Sequence, residues 1–449
     1  MNDRTIVALA TASGLGALTV LRLSGPEALR IATERFKSNS GWTPRQSILG
    51  KFLDSEGRML DEGLATFFKG PWSFTGEDVV EFGLHGSPFI AAQAVEALIS
   101  SGAELAAPGE FTQRAFANGK LDLAQAEAVG DLIAAESRAG HELALKQLKG
   151  SVSKRLSELR RELTDFAALI ELELDFVEED VEFANRGQLL ALLESAMRQS
   201  AEMLATFRQG QAMRDGIPLV IIGPPNAGKS TLLNRLLREN RALVSDVPGT
   251  TRDSVEERFR LGDYLFRLID TAGIREASDV VERMGIERSW AKLREAHLVL
   301  LLIDPMDGDA LDAAELLKVV ERENPEAAVL LVLSKRDVWT GDPTLNFPAH
   351  LGLGLDDRDL DKLESAIIGL IEANQVQGEV MIANIRHANA LRASLEALTR
   401  ARTSLEAGTS GELVAYDLRD ALRHLGSITG EITADDLLSS IFSKFCIGK

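Results

Sequence analysis

The spacing of apolar residues changes three times along the chain, and each change marks a different kind of structure. Up to about residue 118, short apolar runs at Thr5–Ala10, Leu18–Leu23, Leu64–Phe68 and Asp78–Phe82 alternate with turn-rich stretches and one helical pattern over Phe89–Ser100. That mixture predicts a compact α+β domain. From Leu121 to about Met213 the residues are mainly Leu, Ala, Glu, Arg and Gln, Pro is absent, and apolar positions recur every three or four residues. These are long amphipathic helices, with breaks expected near Gly140, Gly150 and Gly187. At Ile217 strands and helices begin to alternate: IPLVIIG, a helix from Lys229, FRLIDTAG, LVLLLID and AVLLVLSKRD. Apolar strands without a period of two are what a parallel sheet covered on both faces requires. After about Glu372 the helical texture returns. The expected architecture is therefore multidomain, α/β and α, with segments 1–118, 119–215, 216–371 and 372–449, and with the α/β segment inserted into a helical domain whose halves pack together. Two separate helical domains would read the same way.

Composition narrows this further. At ~100–200 residues per domain, 449 residues suggest two to four domains, and 45% apolar residues suffice for real cores. A single cysteine can form no intramolecular disulfide and no cysteine-based zinc site, and the six histidines show no metal-ligand spacing. No run reaches the ~18–20 apolar residues of a membrane span, the longest lying near Leu298–Ile303 and Ala327–Leu333. A cytoplasmic protein is expected. The net charge, 49 basic against 68 acidic residues or −19, argues against tight nucleic-acid binding by this chain alone. The acidic run Glu171–Glu182 reads as a solvated helix end and loop.

The chemistry concentrates after Ile217. The strand pattern runs into Gly223-Pro-Pro-Asn-Ala-Gly-Lys-Ser230 and then a helical pattern, which places G-x-x-x-x-G-K-S between strand and helix, the context this phosphate loop needs. Its glycines let backbone N–H groups close around phosphates at a helix N-terminus, Lys229 reaches the β- and γ-phosphates, and Ser230 offers its hydroxyl to Mg²⁺. Asp270-Thr271-Ala272-Gly273 closes a later strand, with Asp270 directed to Mg²⁺ through water and the Gly273 N–H to a γ-phosphate. Between them, Gly249-Thr250-Thr251-Arg252-Asp253 is a polar segment whose Thr251 can complete the Mg²⁺ shell. Ser334-Lys335-Arg336-Asp337 follows another strand, and an Asp there accepts both guanine N1–H and the 2-amino group, which favours GTP over ATP. Ser334 stands where Asn is usual. Ala349 and His350 stand in the expected Ser-Ala-Lys loop, with only Ala matching. Ras-like GTPases carry a water-orienting Gln directly after the D-x-x-G glycine. Here that residue is Ile274, so hydrolysis is either very slow or served by another group, with Arg252, Arg275 and Glu282 as nearby candidates. Alternatively, the charges after Ile274 are the exposed face of a helix.

Five segments together, the phosphate loop, GTTRD, DTAGIREASDVVERMGIERS, LDLAQAEAV at 121–129 and the terminal FCIGK, resemble the MnmE (TrmE) family of tRNA-modification GTPases over the whole chain. LDLAQAEAV with FCIGK is more specific than the loop motifs, which fit many translational GTPases. The resemblance implies an N-terminal tetrahydrofolate-binding and dimerising α+β domain, a helical domain split by an inserted Ras-like P-loop G domain, and a C-terminal motif. It implies a homodimer that works with the flavoprotein MnmG (GidA), in a heterotetramer or larger complex, to add an aminomethyl or carboxymethylaminomethyl group to C5 of the wobble uridine of certain tRNAs. The one-carbon unit would come from a folate (5-formyl- or 5,10-methylene-tetrahydrofolate), with FAD and NADH on the partner.

By the same resemblance, GTP hydrolysis accompanies dimerisation of the G domains around K⁺, with Asn226 a K⁺ ligand through its side-chain oxygen, Ser245 and Val247 through their carbonyls, and a contribution from Thr250. A cation there would supply the charge an arginine finger supplies elsewhere. Glu282 would orient or polarise the water network. GTP contacts would come from Asn226, Ala227, Gly228, Lys229, Ser230 and Thr231, from Ser245, Asp246, Val247, Pro248, Gly249, Thr250 and Thr251, from Asp270, Thr271, Ala272 and Gly273, and from Lys335 and Asp337. The folate residues would be Arg22, Glu81, Lys120 and Lys449, since a cation suits a pterin carbonyl or glutamate tail and a carboxylate suits the pterin N–H edge. Around them the sequence departs from the family pattern, with Gly14-Leu-Gly-Ala-Leu18 before Arg22 and Leu84-His85-Gly86-Ser87 in place of G-H-G-G. Cys446, inside FCIGK, is a candidate nucleophile or proton donor, or else a small buried hydrophobe. The competing readings are a translational or ribosome-assembly switch without one-carbon chemistry, and a scaffold that binds nucleotide statically.

Overall fold

A computed structural model of the chain describes residues 4–175, 186–224, 226–240, 257–269, 292–306, 310–338, 350–354, 357–374, 380–409, 411–432, 435–446 and 448. The chain divides into two compact units, one formed by Met1–Gly130, Leu148–Ser153 and Arg423–Lys449, the other by Asp131–Gln147 and Lys154–Leu422.

The first unit is built on β1 (Ile6–Leu9), β2 (Leu18–Ser24), β3 (Phe36–Lys37), β4 (Ser47–Leu53), β5 (Met59–Phe68), β6 (Val79–His85) and β7 (Glu104–Leu105), joined in the order β3-β4-β5-β6-β2-β1-β7. Its pairs are antiparallel except β1 with β7. Helices α1 (Ala28–Arg35), α2 (Pro88–Ser100), α3 (Glu110–Ala117) and α4 (Leu123–Ala134) accompany it. The strands obey the period of two that a one-sided sheet imposes. Leu21, Leu23, Phe52, Ala65, Val80 and Phe82 are buried in one core with Ile31 and Ala32 of α1 and Ala94 and Leu98 of α2. Phe82 stands edge-on to Phe52 at 5.2 Å and tilted to Phe36 at 5.9 Å. The residues between point the other way, so Ser47, Thr66, Glu81 and Arg22 form one cross-strand row on the outer face. The sequence pattern missed β4 and began β5 five residues late, because Gly50 and Lys51 in one strand and Asp61 to Gly63 in the other interrupt the apolar runs.

The end of the chain belongs to this unit. The C-terminal helix Asp435–Phe442 places Ile441 and Phe442 in a small core with Leu123 and Ala126. The Gly109 N–H donates to the Cys446 carbonyl at 3.5 Å. Gly448 (φ +95°) lies so close to β1 that a Cβ there would sit 2.1 Å from the Leu9 carbonyl oxygen.

The second unit joins helices to an α/β sheet. Helices α5 (Arg138–Leu148), α6 (Ser151–Asp175), α7 (Arg186–Ala205) and α8 (Phe207–Asp215) precede the sheet, and α12 (Ile385–Ala407) and α13 (Gly411–Thr429) follow it. The two halves pack together, α7 against α12, with Arg186 Nε donating to the Leu405 carbonyl and the Ile382 N–H donating to Thr206 Oγ1, both at 2.9 Å. The helical domain is thus split by an inserted α/β segment. Gly150 (φ +85°) separates α5 from α6 as expected, and helix boundaries also fall near the other two glycines, with α4 ending at Ala134, α5 beginning at Arg138 and α7 beginning at Arg186. Gly187 is the second residue of α7. Gly140 lies in the first turn of α5, where a Cβ would come within 3.0 Å of the Met213 carbonyl oxygen. It is a close-packing glycine.

The inserted sheet contains β8 (Ile217–Ile222), β9 (Glu257–Leu261), β10 (Tyr264–Leu268), β11 (Leu298–Ile303), β12 (Ala328–Leu333) and β13 (His350–Gly352), in the order β13-β12-β11-β8-β10-β9. Pairings are parallel apart from β9 with β10, and α9 (Lys229–Asn240), α10 (Ala310–Glu323) and α11 (Asp357–Ala373) lie between or after the strands. Both faces are covered: Leu298, Leu300 and Leu302 of β11 enter one core, while Val299, Leu301 and Ile303 enter cores on the other side. That explains the unbroken apolar spelling. Among the described residues no helix is long and apolar enough to cross a membrane.

Because Phe82 is fully buried among aromatics, Phe82→Ala should destabilise the first unit by about 3–5 kcal/mol. The measurement is the urea unfolding midpoint at constant slope, and a loss under about 1 kcal/mol would show that the aromatic core is not structurally limiting.

Candidate functional site

The phosphate loop follows β8, the central strand, and opens α9. Gly223 (φ +155°) passes so near β11 that a Cβ on it would lie 2.0 Å from the Leu302 carbonyl oxygen, so only glycine fits. Asn226 takes the left-handed conformation (φ +62°) at the exposed rim, and Gly228 has φ +93°. Ala227 is buried against the sheet core, and Ser230 and Thr231 occupy the exposed first turn of α9. Lys229 bends back over the loop, its Nζ donating to the carbonyls of Gly223 at 2.8 Å and Pro224 at 2.6 Å. Burial lowers its pKa from the usual lysine value. Neutral carbonyls only partly satisfy an ammonium in that position, and a phosphate would be a stronger partner.

The second element of the site follows β12. Lys335 adopts φ +56° and donates Nζ to Asp304 Oδ2 at 2.7 Å, while the Met306 N–H donates to Asp304 Oδ1 at 3.0 Å. Burial pushes the Asp304 carboxyl up, but the hydrogen bond and charge of Lys335 and the Met306 N–H outweigh it and hold the group below the usual carboxylate range. Ser334 is buried and its hydroxyl donates to the Ile303 carbonyl at 3.1 Å, tying β12 to β11. Asp337 lies on the turn Arg336–Val338. The stretch beside it is Leu353–Gly354: the Arg336 N–H donates to the Leu353 carbonyl at 3.0 Å, and a Cβ on Gly354 would be 3.6 Å from the Asp337 nitrogen. This corrects the expected position of that loop, since His350 opens β13 opposite Leu331. Ala349 lies outside the described residues. So do Ser245, Asp246, Val247, Pro248, Gly249, Thr250, Thr251, Arg252, Asp270, Thr271, Ala272, Gly273, Ile274, Arg275, Glu282 and Lys449, and the acidic run beyond Asp175. Sequence reasoning missed Asp304, although an apolar strand ending in Asp was a legible signal, and it missed Asp359, which accepts from the Gly354 N–H at 2.9 Å.

A second cluster lies on the outer face of the N-terminal sheet. Arg22 and Glu81 are directly opposed across β2 and β6, with Arg22 Nε donating to Glu81 Oε1 at 2.8 Å. The guanidinium carbon lies 5.4 Å from the Phe74 ring centre and 5.7 Å from that of Phe111. Lys120 donates Nζ to the Pro71 carbonyl at 3.0 Å and stands 5.9 Å from the Trp72 ring. A single loop, residues 69–78, therefore touches both predicted cations. Phe74, Phe111 and Trp72 carried no sequence signal for this site. Cys446 is exposed. Among the described residues no group of His, Cys, Asp and Glu is arranged to hold a metal ion.

The strand order, the phosphate loop after the first strand of that sheet and the Ser-Lys-Arg-Asp turn after the fifth define a Ras-like P-loop GTPase domain. The family described as GTP-binding protein TrmE N-terminus matches residues 5–120, and the MnmE helical domain family matches residues 123–446. The tRNA modification GTPase MnmE of Cytophaga hutchinsonii is 44% identical over 457 residues, covering 99% of this chain and 98% of that protein. The corresponding protein of Porphyromonas gingivalis is 41% identical over 468 residues, covering 100% of this chain and 98% of its own. The chain belongs to the MnmE family of tRNA-modification GTPases.

Removing the Asp304 charge should release Lys335 from its position. A carboxyl whose pKa is depressed in the folded protein gives its stabilisation above the ordinary value of about 3.9 and loses it only as pH falls below that. Asp304→Asn should therefore weaken guanine-nucleotide binding by on the order of tenfold, equally at pH 7.5 and pH 5. Titration with a fluorescent GTP analogue would check this, and a defect that vanishes at pH 5 would contradict the assignment.

Proposed function

We propose that this chain is a K⁺-stimulated, Mg²⁺-dependent GTPase that dimerises in the cytoplasm. With the flavoprotein MnmG it adds an aminomethyl or carboxymethylaminomethyl group to C5 of the wobble uridine of certain tRNAs, using a folate one-carbon unit. The observation that carries the one-carbon part is the Arg22–Glu81 pair flanked by two aromatic rings, in the same compact unit that receives the C-terminal segment. A pure timing switch has no need of it.

When bound, the two cations supply charge stabilisation at the phosphates, and the folate supplies the one-carbon unit. The chain's own residues bind and orient. Lys229 grips the β- and γ-phosphates, and Ser230 offers a hydroxyl to Mg²⁺, with Thr251 in support. Asn226, at the rim in a left-handed conformation, would hold K⁺ through its amide oxygen, with Ser245, Val247 and Thr250 as the further ligands, and Glu282 would orient the attacking water. Asp337 accepts the guanine N–H edge while Lys335, pinned by Asp304, lines the base. In the N-terminal unit Arg22 and Glu81 address the pterin, and Lys120 and Lys449 its anionic parts. The Cys446 thiol is exposed and is the family-motif group to test as proton donor or nucleophile.

GTP turnover in KCl should exceed that in NaCl by at least about tenfold, as expected when one charge-stabilising contact is lost. Equal rates would sink the K⁺ reading. In a strain lacking the gene, mass spectrometry of tRNA nucleosides should show loss of the C5 group on wobble uridine. Complementation with Arg22→Ala should leave it missing while the purified variant keeps its KCl-stimulated turnover. Restored modification by that variant would remove Arg22 from the chemistry and favour the switch reading.

A further inference from the structure

The loop that links the two predicted folate cations also walls a cavity of about 530 Å³, lined by Pro44, Arg45, Lys69 and Trp72. Trp72 is 70% exposed, unusual for an indole. The main chain of its loop is anchored: Arg45 donates to the Trp72 carbonyl at 3.3 Å, Lys120 to the Pro71 carbonyl, Asn118 to the Thr75 carbonyl at 2.8 Å, and the Gly70 N–H to Asp78 Oδ1 at 2.9 Å. Arg45 itself holds φ +65°, a conformation that L side chains rarely adopt. An exposed indole on an anchored loop, with Lys120 Nζ 5.9 Å from its ring and the exposed Arg45 and Lys69 beside it, is a stacking platform for an aromatic anion.

We infer that this cavity receives the p-aminobenzoyl-γ-glutamyl tail of the folate, and that Arg45 and Lys69 select folates carrying a chain of several γ-linked glutamates. The inference rests on the folate reading of Arg22 and Glu81. Trp72 and Phe74 are two residues apart, at most about 7 Å of extended chain, and Phe74 is the ring beside Arg22. A ligand whose pterin sits at Arg22 and Glu81 therefore meets the indole one ring further on. Its benzoyl ring stacks there, and the α-carboxylates of successive glutamates reach the exposed cations Arg45 and Lys69. Single-stranded RNA uses the same chemistry of aromatic platform and cations. It needs a basic track along several phosphates, whereas this cluster is compact and the chain as a whole carries −19.

Calorimetric titration of the full chain with 5-formyl-tetrahydrofolate in its mono- and tri-γ-glutamate forms tests this. The triglutamate should bind about tenfold more tightly, the worth of one or two charge-assisted contacts. In Arg45→Gln/Lys69→Gln the difference should vanish, in Arg45→Lys/Lys69→Arg it should return, and Trp72→Ala should weaken both ligands. Equal binding of both forms to the unaltered protein would overturn the tail pocket while leaving the folate reading intact. Binding of neither would overturn both. If the glutamine variant keeps its triglutamate preference but loses affinity for an oligouridine, the cavity is an RNA platform and the inference is wrong.

Discussion

Both candidate sites depend on backbone meeting backbone with no room for a side chain. At the phosphate loop, Gly223 runs so close to the Leu302 carbonyl that any Cβ would overlap it. This approach seats the loop on the ends of β8 and β11, leaves the first turn of α9 with its N–H groups facing outward, and brings the Gly223 and Pro224 carbonyls within reach of Lys229. At the other end of the sequence, Gly448 does the same against Leu9. Leu9 pairs with Leu21, the neighbour of Arg22, so the terminal segment is fixed one strand away from the Arg22–Glu81 pair. A methyl group at either glycine would displace main chain, which cannot yield as the end of a flexible side chain can.

How much of this was legible in the sequence follows from how local each signal is. The parallel sheet could be read because burial on both faces spells continuous apolar runs, as β11 does. The phosphate loop could be read because its chemistry fits within eight consecutive residues. The Arg22–Glu81 pair is different: the two residues are 59 positions apart, and only the register of β2 on β6 opposes them. The loop beside Asp337 was misplaced for a related reason. Its residues, Leu353 and Gly354, contribute backbone groups, and backbone contacts leave no side-chain spelling. The break between α4 and α5 near Gly140 could be read, but the close packing of Gly140 on Met213 could not, because the same residue type serves at helix ends and where backbones approach, and periodicity cannot separate the two uses.

The cations of the two sites fall into two electrostatic kinds. Lys335 and Arg22 are bonded to carboxylates, Asp304 and Glu81. Such pairs are close to neutral as units, so they fix geometry and present directed N–H groups without attracting anions strongly. Lys229 and Lys120 bond to main-chain carbonyls. A carbonyl orients an ammonium but leaves its charge in place, and these two lysines therefore carry the anion-attracting field of their sites. Against a net charge of −19 that distinction matters, because long-range attraction of any anion to this chain is unfavourable. Only local, uncompensated cations with partly desolvated surroundings overcome it. Burial lowers the pKa of Lys229, the cost of holding such a charge ready, and a phosphate arriving there relieves it. The loop is thus selective for anions that come within direct contact distance and indifferent to those that do not. That is the behaviour a nucleotide site needs on an acidic protein working beside a far more strongly charged polyanion.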